Sequence, residues 1–456
     1  MRLRLRLPVV LLLAAMVPAI AQTANDQTPP STQKDSSMSG TDMPGMTQSA
    51  GTPNAKAAND MSGMNMASMD MGMPATGILG NYPMTRDASG TSWQPDDSPH
   101  NAIHGIAGDW MLMGHLMLTG VYDTQSGPRG ADKTFAEGML MGAARRDLAN
   151  GDAFNLRAML SPDPLMGKSG YPLLLASGET ANGVTPLIDR QHPHDLFMEL
   201  AASYTHRLDD ANSIFLYVAD PGEPALGPPA FMHRPSGMDI PDAPITHHWL
   251  DSTHIAFGVL TGGFVHDDWK LELSQFTGRE PDQYRYDFDP VRLDSTSARA
   301  SWNPDSHWSM QISWGHLNSP EQLQPQLNEN RTTTSATYVT KFADESSLAA
   351  TLAWGLKQES DGTNLNGVLL EGEYAIGPWT AFSRAEWEQN DELDAFGRIE
   401  RVEQLTVGAI HDWPVAEHLK LGLGALYAFD FVPSAIAPSY GGDPHGFMAF
   451  VRLATR

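Results

Sequence analysis

Residues 308–314 read WSMQISW, and residues 348–357 read LAATLAWGLK. In the first, Trp308, Met310, Ile312 and Trp314 alternate with Ser309, Gln311 and Ser313. In the second, Leu348, Ala350, Leu352, Trp354 and Leu356 fall on one parity and Thr351 and Lys357 on the other. A period of two sends successive side chains to opposite faces of a strand, whereas a helix would need 3.6. Each segment therefore has one apolar face and one polar or small face, which is the dyad repeat of an outer-membrane barrel strand.

The same pattern recurs in sixteen segments from residue 109 onward: 110–122, 134–146, 153–160, 197–207, 213–219, 253–262, 268–277, 294–302, 307–315, 332–341, 348–357, 367–375, 379–388, 400–411, 419–428 and 444–453. The odd connections are mostly long, notably 161–196 and 220–252, and the even ones short, such as 208–212, 303–306 and 376–378. Alternating long loops and tight turns are expected of a barrel whose two ends face different compartments. An even strand count places both termini at the periplasmic end. Trp110, Tyr122, Trp269, Trp302, Trp308, Trp379, Trp387 and Trp413 fall near strand ends, where interfacial girdles sit.

The N-terminus agrees with export. Basic residues 2–6 precede the apolar run Leu7 to Ile20 and an Ala19-Ile20-Ala21 cleavage signal, so residues 1–21 read as a signal peptide cut before Gln22. No later segment is long and apolar enough for a spanning helix, so a membrane location requires a closed barrel. The expected fold class is all-β: an antiparallel outer-membrane β-barrel of about sixteen strands (residues 109–456) after a disordered N-terminal arm.

That arm covers residues 22–76, and residues 77–108 read as a linker of turn formers. The arm is poor in aromatics and rich in Ser, Thr, Gln, Asn, Gly and Pro, a composition that cannot bury enough apolar surface to offset ordering. Its unusual residue is Met. The run MSGMNMASMDMGM places Met61, Met64, Met66, Met69, Met71 and Met73 at spacings that let a flexible chain wrap two or three thioethers around one soft ion.

The 456 residues contain no Cys, so there are no disulfides and no thiolate ligands. With 29 Lys and Arg against 54 Asp and Glu, the net charge of −25 disfavours nucleic acid and attracts cations. In the first strand, Trp110, Leu112, Gly114, Leu116, Leu118, Gly120 and Tyr122 share an apolar face suited to lipid. Met111, Met113, His115 and Met117 share the other, expected to face the lumen, and Met139 and Met141 share a face of the next strand. Thioether and imidazole together suit Cu(I), while clustered imidazoles suit Cu(II) or Zn(II). The competing reading is that Met simply fills a narrow lumen.

An exported chain with a Met-rich arm followed by a barrel pattern resembles the outer-membrane proteins of bacterial copper resistance, the copper resistance protein B type. The likeness covers the signal peptide, the arm and the general architecture of residues 109–456. It implies copper binding or movement at the outer membrane of a Gram-negative bacterium, a periplasmic arm, and a periplasmic copper oxidase or efflux components as partners.

Seven of the sixteen His lie between residues 187 and 254. His192 and His194 flank Pro193 in DRQHPHD at the end of the third connection. His233, His247 and His248 lie in the fifth, and His254 starts the next expected strand. Both connections open at one barrel end and are long enough to fold inward. The expected site draws on His192, His194, His233, His247 and His248, with Met232 as a further candidate. The alternative is a hydrogen-bonded network with Arg190 and Arg234 paired to Asp189, Asp195 or Asp251.

An enzyme is not expected. Ser203 and His206 differ by three along a strand and so point to opposite faces, and no G-x-S-x-G or HExxH occurs. The preferred reading is a copper-binding barrel contributing to copper tolerance by sequestration or export. A passive porin for small solutes and a secreted metal-binding enzyme are the alternatives.

Overall fold

The computed structural model describes residues 76–343, 346–394 and 397–456. The Met-rich arm up to residue 75 lies outside the described residues, and with it Met61, Met64, Met66, Met69, Met71 and Met73.

A short strand, β1 (Ile103–Ala107), leads into the barrel wall. The wall begins with β2 (Trp110–Gln125), β3 (Asp132–Asp147) and β4 (Ala153–Leu160). A separate hairpin follows, β5 (Tyr171–Thr180) and β6 (Pro186–Gln191). The wall resumes with β7 (Phe197–Arg207), β8 (Asn212–Ala219), β9 (Val259–His266) and β10 (Trp269–Phe276). It continues through β11 (Ser295–Trp302), β12 (Trp308–Leu317), β13 (Glu329–Lys341) and β14 (Ser347–Glu359). The last strands are β15 (Asn364–Ile376), β16 (Trp379–Asn390), β17 (Glu400–Ala416), β18 (Leu419–Phe431) and β19 (His445–Thr455). Every wall strand pairs antiparallel with its neighbour, and β19 closes on β2 with Phe450 opposite Val121. The result is a closed barrel of sixteen strands. Beyond the end of β19, β1 covers the exposed edge of β2, with Ile103 opposite Gly114.

The strand alternation matches the faces read from sequence. On β10, Lys270 and Glu272 are buried inside while Leu271 and Leu273 are 57% and 66% exposed outside. Ile312 and Leu352 likewise face outward, and Ser313 and Thr333 inward. An apolar exterior around a polar interior is the arrangement lipid imposes, since closure satisfies every ladder hydrogen bond without water. Trp269 stacks on Trp302 at 5.0 Å at the short-turn end, part of an aromatic belt there.

The strand expected at 253–262 begins instead at Val259. Residues Ser252–His254 form a helical turn, and Nδ1 of His254 donates to the Asp251 carbonyl at 2.7 Å, so His254 belongs to the loop.

The interior is filled by three insertions. Residues 76–98, which take in Thr76 of the expected arm and the first part of the expected linker, form an ordered plug at the short-turn end. Leu79, Tyr82 and Trp93 bury themselves against Phe215 and Val265 of the wall. Arg86 binds Asp96 at 2.6 Å and Asp268 of a tight turn at 3.1 Å. The plug backbone receives inward wall side chains: Ser213 donates to the Leu79 carbonyl, Thr205 to Ile78 and Asn303 to Gln94. Composition alone suggested a linker because these backbone partners come from remote strands.

From the opposite end, the β5–β6 hairpin and the loop 220–258 fold into the lumen. All ten residues of β5 are buried. The loop is tied to the wall by charge: Arg234 to Glu371 (2.6 Å), Arg384 to Asp242 (2.9 Å), and Arg452 to Asp239. Such buried pairs offset a large desolvation cost, so their main effect is to specify where the loop sits.

Candidate metal sites in the barrel lumen

Two groups of donor side chains occupy the lumen. The first follows from strand register. Across β2, β3 and β4, His115 lies opposite Met141, and Met141 opposite Met159; one step further along, Met117 lies opposite Met139. Directly opposed Cβ atoms lie about 4.5–5.5 Å apart, so these side chains form a patch of soft donors on one wall. A cavity of about 130 Å³ opens over this patch, lined by Met111, Met113 and His115 of β2, Met139 and Met141 of β3, and Met159 of β4. Other segments complete it: Met84 from the plug, His100 and His104 from the approach to β2, and His233 and Met238 from loop 220–258.

Four imidazoles line this cavity: His100, His104, His115 and His233. Nδ1 of His115 donates to the Asn101 carbonyl at 2.6 Å, which turns Nε2 away from that bond. The Nε2 atoms of His100 and His104 share a hydrogen bond at 2.8 Å, which an ion held between the two rings would replace. Nε2 of His233 is buried without a hydrogen-bond partner. Lumen faces of barrels are ordinarily polar. Here Met supplies donors that match Cu(I) in softness, and imidazole complements it.

The second group lies under the long loops. His194 and His254 rings approach to 5.1 Å, His254 and His247 to 5.2 Å, His247 and His248 to 5.5 Å, and His192 and His248 to 5.7 Å. Nδ1 of His194 binds Asp163 at 2.8 Å, and Nδ1 of His247 binds Asp251 at 2.8 Å. With His254 anchored on the Asp251 carbonyl, three imidazoles have Nδ1 held and Nε2 buried without a partner. Metal-ligating histidines are held in this way, by a carboxylate or carbonyl that fixes tautomer and ring orientation. Arg285 bridges Asp195 (3.2 Å) and Glu179, and Glu179 lies 3.3 Å from Nε2 of His192.

Of the predicted residues, Met111, Met113 and His115 converge in the first cavity. Met117 lines a smaller one of about 30 Å³ with Met232, Met238, His192 and His194. His192, His194, His247 and His248 come together as a group. His233, grouped with them by sequence, instead joins the thioether cavity, because the helical turn Phe231–His233 directs it there while Phe231 packs against His194, His247 and His254. The expected pairing of Arg234 with Asp251 is present at 2.6 Å, whereas Asp189 pairs with Arg129 and Asp195 with Arg285. Arg190 donates to the Ser169 carbonyl. Ser203 is buried and His206 is exposed, on opposite faces.

Met84, Met159, Met238, His100, His104 and His254 were not in the predicted site. Met159 was legible, since it shares the inward parity of Asn155 and Arg157 on β4. Met84 and Met238 lie in turn-rich segments with no periodicity to place them.

Burial drives His192 and His254 far below the ordinary imidazole range, aided by Arg285 for His192 and by His194 for His254. Burial also lowers His247 against the pull of Asp251, and brings His233 down to about 3. For His248 burial acts downward too, but Glu280 outweighs it and raises the group to about 9. A lowered folded value means that the unfolded chain takes up protons first. The stability these four neutral imidazoles preserve is therefore present above pH ~6.5 and lost as pH falls toward their folded values. For His233 alone the loss at pH 5 is about 2 kcal/mol. The stability from His248 runs the other way, present below pH ~6.5 and lost as pH rises through about 9. Thermal unfolding followed by intrinsic tryptophan fluorescence is expected to shift to lower temperature from pH 7 to pH 4.5. A flat profile over that range would contradict the neutral, buried assignment of the imidazoles.

No family model and no curated protein matches this sequence. Solved structures do. Salmonella typhi OmpF, in its complex with daunomycin, matches with a TM-score of 0.50 at 9% identity, over 77% of this chain and 100% of that one. An anion-selective porin from Comamonas acidovorans matches with a TM-score of 0.44 at 10% identity, over 76% of this chain and 99% of that one. The outer membrane channel DcaP of Acinetobacter baumannii gives the same score and identity, over 76% and 98%. At these identities the likeness is one of fold, the outer-membrane β-barrel of the porin type.

Proposed function

We propose that this porin-type barrel binds Cu(I) in its thioether–imidazole cavity and contributes to copper tolerance at the outer membrane by sequestration or export. The observation that carries this reading is the convergence of Met and His from six separate stretches on one lumen cavity: the plug, the approach to β2, β2, β3, β4 and loop 220–258. Filling space would require only apolar volume, which Leu or Ile supplies with better-defined rotamers. The His group under the loops offers a harder, imidazole-only set suited to Cu(II). A periplasmic arm collecting copper for the barrel, with an oxidase or efflux component as donor or acceptor, belongs to the same reading.

The likeness to porins favours a second reading, a passive pore for small solutes in which Met and His are structural. The plug and the two inserted loops weigh against a wide passive pore, because they occupy the lumen such a pore would leave to water.

The deciding experiment titrates Cu(I) against a competing chelator into the detergent-folded protein, with and without residues 38–75. The deletion stops short of Thr76, since the plug begins there. Tight binding that persists without the arm is expected. Loss of all tight binding with the arm would make the barrel only its anchor. No tight binding in either form, with metal-independent conductance in planar bilayers, would establish the porin reading.

A further inference from the structure

His248, a member of the loop histidine group, faces carboxylates from two other loops. It stands in the helical turn His247–Leu250 and is 4% exposed. Neither of its ring nitrogens makes a hydrogen bond. Its ring is seated against Gly178 of the β5–β6 hairpin: a Cβ there would lie 2.5 Å from Cε1 of His248, and Gly178 has φ +122, so a side chain at 178 is excluded twice over.

Two carboxylates from two other loops complete the group. Glu280, from loop 277–294, places Oε1 3.4 Å from Nδ1 of His248 and accepts a hydrogen bond from Ser252 at 3.0 Å. Its second oxygen, Oε2, is buried without a partner. Glu321 comes from loop 318–328 and is half-buried. One donor atom from each of His248, Glu280 and Glu321 lies within 4.8 Å of the other two.

We propose that His248, Glu280 and Glu321 form a binding site for a divalent cation of the Zn²⁺ or Mn²⁺ type, which clips together the three loops that close this end of the lumen. The donor set is one imidazole and two carboxylates with no thioether, which suits a borderline or hard divalent ion and not Cu(I). Bonds of about 2.0–2.2 Å to such an ion put neighbouring donors somewhat over 3 Å apart, so the present spacing needs an inward movement of about an ångström. The outer loops can supply it, Glu321 above all, since its side chain is not fully packed.

The surroundings are matched to positive charge. The adjoining cavity, about 30 Å³, is walled by Glu321, Glu329, Glu359, Asp391 and Glu392, with Lys357 as its ammonium group. Lys357 is directed to Glu329 at 3.6 Å and over the Trp249 ring. Arg331, the nearest guanidinium, is held by Glu329 at 2.7 Å and reaches Glu280 only through the Ser252 hydroxyl. Five carboxylates around one ammonium group leave the pocket an excess of acidic groups, which favours a cation there. The site shares no residue with the thioether cavity and so stands or falls independently of Cu(I) binding there, although His248 also belongs to the imidazole group offered to Cu(II).

The test uses the full chain, folded in detergent and freed of metal with a chelator. Zn²⁺ stoichiometry is measured against a chromophoric competitor, and Mn²⁺ binding by loss of its free-ion electron paramagnetic resonance signal. The Glu280→Gln/Glu321→Gln variant is expected to bind one Zn²⁺ fewer than the wild type and to lose Mn²⁺ binding. Glu359→Gln, in the cavity wall but outside the donor set, is expected to keep both. If the double variant fails to fold, Glu321→Gln alone replaces it, with an expected loss of at least tenfold in Mn²⁺ affinity. Equal Zn²⁺ stoichiometry and unchanged Mn²⁺ binding in the variants would overturn the site, as would a wild type that binds no Mn²⁺; the cluster would then be an imidazolium–carboxylate pair only.

Discussion

Replacing Met111, Met113, Met139 and Met141 together with Leu is expected to weaken Cu(I) binding by the barrel about 100-fold, equivalent to about 2.7 kcal/mol. The same variant is expected to fold and to close its barrel normally. Met and Leu have similar volumes, and such swaps in a packed interior cost less than about 1.5 kcal/mol each. What disappears is the sulfur. His115, His233 and the His100–His104 pair remain in the cavity, so residual affinity should shift toward ions that prefer imidazole. The measurement is competitive Cu(I) titration of the chain lacking residues 38–75, with and without the four substitutions, alongside a Zn²⁺ titration as control. A fall in Cu(I) affinity with Zn²⁺ binding unchanged fits the proposed site. Unchanged Cu(I) affinity would mean that the Met patch is only packing, and would return the protein to the passive-pore reading.

The second large effect is expected at Arg234. Its guanidinium is 1% exposed and lies between Asp251 (2.6 Å) and Glu371 of β15 (2.6 Å). Arg234→Met leaves both carboxylates buried without their counter-charge, an arrangement that costs about 3–5 kcal/mol. Burial alone would raise Asp251, but Arg234 and then His247 hold it well below the usual carboxylate range, so losing Arg234 removes the main reason it stays ionised. His247 then loses its fixed acceptor, and loop 220–258 loses one of its three charged ties to the wall. Two readouts follow: a lower melting temperature of the loop package, and higher ionic conductance in planar bilayers as the loop leaves the lumen. Adding Asp251→Asn and Glu371→Gln to Arg234→Met should recover much of the lost stability, since neutralising the whole network removes the uncompensated charge. If Arg234→Met alone were as stable and as closed as the wild type, the loop would be held by its apolar contacts instead.

These two experiments address features of unequal visibility in the sequence. Period-two alternation assigns the methionines of β2 and β3 to the lumen, because a side chain's face on a strand is a local property. Leu271, Leu273, Ile312 and Leu352 could be assigned to lipid for the same reason, and the long–short rhythm of the connections set the barrel's two ends apart. Register between β2, β3 and β4 then brings His115, Met141 and Met159 into one row, a consequence of pairing that face assignment alone does not give.

No local signal of that kind exists for the plug, for the grouping of the histidines or for their carboxylate partners. Arg234 and Glu371 are 137 residues apart, and Ser213 reaches the Leu79 carbonyl across 134. His194 takes its partner Asp163 from the start of the same long connection, 31 residues back. His233 stands one residue from Arg234, yet faces a different cavity from His247 because a helical turn rotates it past Phe231. Sequence by itself determined the strands, their two faces and the soft character of the lumen wall, since these follow from short-range periodicity and residue chemistry. Only the tertiary structure decided which segments fold inside the barrel and which donors meet there, because buried charges are placed by partners on distant strands, and irregular loop backbone has no period that reveals its direction.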